Sequence, residues 1–186
     1  MDTILIYLQL GFEHILPLGF DHVLFILCLF FSGDNLTSII WQSTAFTLAH
    51  SISLALAMLQ FVPVSSALVE PMIAISIVFA SVANICTDKL IKIRILLVFL
   101  FGLIHGLGFA GVLNELGLTE GQYFKSLISF NIGVEFGQLT VILAAWFLIG
   151  KWFHKKTWYR RRIVIPVSTT IAVIAVYWTI ERIYWG

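Results

Sequence analysis

Apolar runs, broken by short polar or Gly/Pro-containing stretches, mark six segments at residues 17–31, 36–61, 67–86, 91–113, 123–149 and 163–184. A helix that crosses a bilayer needs about 20 mostly apolar residues, and these runs are of that order. The run at residues 3–16 is too short to cross, and Pro17 disfavours α geometry at Leu16, so this piece is expected to lie at the interface or to tuck back into the bundle. Pro17 then falls at the start of the first span, where proline is tolerated. The expected fold is all-α, a polytopic membrane helix bundle with six transmembrane helices and a short amino-terminal interfacial or re-entrant helix. It forms a single integral membrane domain over residues 1–186.

Composition removes the soluble alternatives. Of 186 residues, 60% are hydrophobic and only 11% charged, with a mean hydropathy of +0.99, which excludes a water-soluble enzyme as the default. The net charge of +1 hides an uneven distribution. Residues 151–162 (KWFHKKTWYRRR) hold six of the eleven basic residues, and residues 88–94 add Lys89, Lys92 and Arg94 against one acid. The positive-inside rule makes both connectors cytoplasmic, and the acidic connector at 114–122, with Glu115 and Glu120, suits the other side. Both termini are then external. Trp152, Lys155, Trp158 and Arg160 read as an interfacial belt beside a span rather than a nucleic-acid surface, so no nucleic-acid partner is expected. Residues 1–10 carry Asp2 and no base, unlike a cleaved signal peptide. Cys28 and Cys86 are too few for a disulfide framework and read as small buried hydrophobes.

Ionisable groups inside a membrane cost several kcal/mol unless paired or functional, so the few that remain carry the most information. They are His14, Asp21, His22, His50, Glu70, His105 and Glu135, with Asn84, Asn131 and Gln138 as neutral companions. Four of the five histidines are in this set; His154 sits in the basic loop and is expected to be solvated. With a rise of about 1.5 Å per residue and the orientation above, all seven groups fall in the outer half of the bundle or near its midplane. Asn131, Glu135 and Gln138 follow i, i+4, i+7 spacing and share one helix face, while Ser43, Thr47 and Ser51 make the face around His50 polar. Gly102, Gly106 and Ala110 form one ridge of small residues and Gly133 with Gly137 another, both suited to close helix approach. Neutral imidazole with carboxylate is a ligand set for Ni, Co, Zn or Fe(II), and the lack of thiolate at that depth argues against Cu(I) and closed structural zinc. The bland alternative is a network of buried polar groups bonding neighbouring helices.

Five motifs in order resemble the shorter branch of the HupE/UreJ family of membrane proteins. They are residues 11–27 (GFEHILPLGFDHVLFIL), 46–51 (FTLAHS), 69–76 (VEPMIAIS), 101–110 (FGLIHGLGFA) and 130–138 (FNIGVEFGQ). The resemblance spans residues 11–138 and leaves the basic loop and last span without a motif. It implies a bacterial inner-membrane permease for nickel, or nickel and cobalt, whose metal positions carry over to His14, Asp21, His22, Glu70, His105 and Glu135. His50 belongs to the shorter branch's pattern. The chain departs from the longer branch in reading His14-Ile15 where that branch has a histidine-proline pair.

The leading hypothesis is a metal-ion permease. His14, Asp21 and His22 receive the ion at the rim, His50, Glu70, His105 and Glu135 hold it deeper, and Asn131 and Gln138 orient those ligands. No inner-half exit is evident beyond Asn84 and scattered hydroxyls. A second hypothesis is an intramembrane zinc hydrolase using the same site, with Glu70 or Glu135 as general base. A third is a haem protein with His50 and His105 as axial ligands, which the surrounding carboxylates do not suit. The lipid bilayer and the metal are the expected partners, and homo-oligomerisation is left open.

Overall fold

The computed structural model describes residues 3–33, 35–63, 65–86, 91–115 and 123–185, with side chains of the 91–115 helix described over 94–110. Asp88, Lys89 and Glu120, and the side chains of Lys92 and Glu115, lie outside the described residues. Among the described residues the fold is all-α, with seven helices: α1 (Thr3–Ile15), α2 (Phe20–Ser32), α3 (Leu36–Met58), α4 (Ser66–Cys86), α5 (Ile91–Glu115), α6 (Tyr123–Phe153) and α7 (Arg160–Tyr184). Asn35 starts α3 by accepting a hydrogen bond from the Ser38 amide at 2.8 Å, which satisfies one of the free donors of the first turn.

The helices α3, α4, α6 and α7 are long and apolar enough to cross a membrane. The pair α1 and α2 passes only jointly, bent by 68° at its break, which makes five spans if the pair is one. The apolar stretch described in α5, Arg94–Ala110, is shorter than a span. The expected six spans are therefore not confirmed. Two helices account for the difference: α2 alone, at 13 residues, is about 20 Å long against a hydrocarbon core of about 30 Å and needs α1 to complete it, and of α5 the side chains are described only over 94–110.

Three helix pairs make most of the packing: α3 along α5, α1 along α6, and α4 along α7. The first two rely on the small-residue ridges. A methyl group on Gly102 would overlap the Phe46 carbonyl, and one on Gly133 the Leu8 carbonyl, so backbones touch where larger side chains would hold them apart. Of the two positions expected for the amino-terminal piece, the structure shows the second, with α1 embedded against α6. Large hydrophobic side chains such as Leu48, Ile52, Met72, Phe79, Phe136 and Val173 point outward, while His, Gln and Ser residues are buried. That inversion is what a lipid surround permits.

The two ends of the bundle differ. At one, cationic and imidazole groups bond the last carbonyls of helices: Arg94 to Ser32, Arg160 to Ile85 at 3.1 Å, and His154 to Gly33 at 3.4 Å. Cations there complement the negative ends of α2 and α4. The two basic connectors thus meet at the same end. At the other end, Arg182 in the last turn of α7 reaches the starts of α2 and α4.

Candidate metal centre

The centre begins with a turn. After α1 ends at Ile15, the chain passes a cis Leu16–Pro17 peptide and folds back at Gly19, where a methyl group would overlap the His14 carbonyl. That close return sets His14, in the last turn of α1, against His22 in the first turns of α2, with ring centroids 4.6 Å apart. His50 from α3 joins them at 5.8 and 5.7 Å. One ligand nitrogen from each of the three lies within 4.8 Å of the others. His105 adjoins the group, its ring 5.0 Å from that of His22. It is brought there because Gly106 lets α5 press on the His50 carbonyl.

The chemistry of the donors fits a metal. The Nε2 atoms of His14, His22 and His105, and both ring nitrogens of His50, are buried without a hydrogen-bond partner. Each such orphan costs about 1–3 kcal/mol, so several facing one another call for a ligand that takes their lone pairs. His105 Nδ1 lies 2.8 Å from the Phe101 carbonyl, which fixes the proton on Nδ1 and leaves Nε2 free to ligate. Asn131 sits beside His50, with its amide nitrogen bonded to the Leu127 carbonyl and its oxygen unpartnered. Phe46, Phe109 and Phe130 wall the group, the Phe109 ring 4.0 Å from that of His14. Neutral imidazoles in an apolar box suit Ni, Co or Zn. Direct contact of α3 and α5 beside His50 leaves no slot for a macrocycle between His50 and His105.

A cavity of about 670 Å³ opens onto the histidines and is lined by Glu13, Asp21, Glu70 and Arg182 as well as by His14, His22 and His105. Both Asp21 oxygens accept from one nitrogen of the Arg182 guanidinium, at 2.9 and 3.1 Å, and another nitrogen of the same group donates to the Glu70 carbonyl at 3.1 Å. The family model described as HupE / UreJ protein matches residues 1–182, from the first helix to this arginine. The chain belongs to the HupE/UreJ family. It is an integral membrane protein. No curated protein and no solved structure matches it.

Within this HupE/UreJ chain the site residues separate into three places. His14, His22 and His50 form the nitrogen group with His105 beside it, whereas Asp21 and Glu70 stand in the wall of the cavity. Glu135 lies apart, in a groove between α3 and α6, where Thr44 and Thr47 donate to its two oxygens. Gln138, one turn further along, accepts from Ser43. Two residues of the cavity were missed from sequence. Glu13 had a signal, as the neighbour of His14 in the first motif; Arg182 had only the weak one of a lone base near the end of an apolar run.

Proposed function

We propose that this HupE/UreJ protein is a permease for a divalent transition metal, with nickel or cobalt as cargo. The observation that carries the reading is the set of unpartnered imidazole nitrogens converging at the head of a cavity with acidic walls. The family is linked to nickel and cobalt uptake. Carboxylates in the cavity wall attract a hydrated cation, and nitrogen ligands exchange for its waters one at a time. A small nitrogen set leaves positions open, which keeps binding weak enough for release. By the positive-inside rule the end holding the basic connectors faces the cytoplasm, so the cavity opens outward, in a bacterial inner membrane.

The test is titration of detergent-purified protein with Co(II), whose visible absorption reports nitrogen ligation, together with cobalt influx into proteoliposomes. Wild type is expected to show both, and His14→Ala and His50→Ala to lose both while keeping their helical circular dichroism. The second reading, an intramembrane zinc hydrolase, draws on Glu13 and Glu70 beside the histidines as candidate general bases. Tightly held stoichiometric zinc without cobalt influx would establish it over the first.

A further inference from the structure

The cavity brings an ion to the histidines from one end only, and a permease must release it at the other. The groups between α3 and α6 fall in a line toward that other end. Asn131 sits beside His50; Glu135 binds the hydroxyls of Thr47 and Thr44; Gln138 binds Ser43. Successive turns of α6 thus meet successive turns of α3, running in opposite directions. Beyond Ser43, α3 runs on to the Asn35 cap at its exposed start. From His50 to Ser43 the seam covers about 10 Å of helix.

Helix-to-helix bonding alone would leave these groups satisfied. It does not: Gln138 Nε2 has no partner, although Gln138 is fully buried. Glu135 is also open to a groove of about 370 Å³ rather than packed away. Oxygen donors of this kind hold nickel or cobalt more weakly than imidazole does, which is what departure from a nitrogen site requires.

We infer that the α3/α6 seam is the release route, on which Glu135 and the Gln138 amide receive the cation from His50 and pass it toward the start of α3. Glu135, Asn131 and Gln138 then act after the histidine centre and are not its ligands or their supports. This rests on the permease reading above.

The experiment compares wild type with Glu135→Gln, Gln138→Leu and Gln138→Glu in two assays, the Co(II) absorption spectrum in detergent and cobalt influx into proteoliposomes. Glu135→Gln and Gln138→Leu are expected to keep the wild-type spectrum and to lose about tenfold or more in influx, and Gln138→Glu, which restores an oxygen donor, to recover most of it. Because Glu135→Gln keeps size and shape, it covers the case in which Gln138→Leu fails to fold. Variants that transport within about twofold of wild type overturn the route and leave the permease reading standing. Loss of the spectrum in Glu135→Gln overturns it as well, by making Glu135 a ligand of the centre. Wild type that binds cobalt and moves none removes the permease reading and the route together.

Discussion

Two polar regions share the interior of this bundle, and they are built on opposite terms. In the histidine centre Nε2 of His14, His22 and His105 and both ring nitrogens of His50 are buried without partners, inside a wall of phenylalanines. In the α3/α6 seam most groups already bond across the interface: threonine to carboxylate, serine to amide. A satisfied polar seam can hold two helices together by itself, whereas several unsatisfied lone pairs in one place are stable only with something bound. What separates the two is how far donors and acceptors match: the seam leaves the Gln138 amide nitrogen over, the centre several ring nitrogens.

The sharpest way to break this contrast is to remove a nitrogen. His22→Ala or His50→Ala is expected to weaken Co(II) binding by on the order of 100-fold or more, read from the absorption titration, since even losing an outer partner of a ligand costs 10–100-fold. A loss below about threefold would mean that the ring in question is packing and not ligating. Gly106→Val comes next, because its side chain would meet the His50 carbonyl and Ser53 Oγ and push α5 from α3. It should cost about 1–3 kcal/mol in detergent unfolding and weaken metal binding in parallel. If stability falls while the cobalt titration is unmoved, His105 lies outside the working site.

Smaller effects are expected at the mouth. Arg182→Gln frees the Asp21 carboxylate and removes a cation from the wall, so the KM for cobalt influx should fall a few-fold while stability drops by about 1 kcal/mol or less, as for other partly exposed ion pairs. A rise in KM would show that Arg182 helps the ion in rather than competing with it. His154→Ala should be quietest, costing under about 1 kcal/mol through its long bond to the Gly33 carbonyl and leaving the cobalt spectrum as it was.

Much of this was legible in the order of residues. Continuous apolar runs marked the long helices, the glycine ridges announced the close pairs, and the spacing of Asn131, Glu135 and Gln138 put them on one face. Equal depth pointed to one group of histidines, and His14, His22 and His50 lie together. It also drew in Glu135, because depth along an axis says nothing about rotation around it, and the α6 face that carries Glu135 turns to the α3/α6 groove rather than to the rings of His14 and His22. The Asp21–Arg182 bond joins residues far apart in the chain, across helices whose adjacency no local pattern encodes. The break after Ile15 was anticipated from Pro17, but the return of α1 along α6 depends on Gly11 meeting the Phe130 carbonyl, a tertiary match.

The pairing of helices has a mechanical consequence. Glycine contacts lock α3 to α5, and with them the positions of His50 and His105, into one stiff unit; they lock α1, which carries His14, to α6 in another. The histidine centre straddles the boundary between these units, and so does the α3/α6 seam. A small slide of one unit on the other must therefore lengthen the His14–His50 separation and spread the seam in the same stroke. On the permease reading, letting go of the ion and opening the proposed way out become one movement, so neither has to wait for the other.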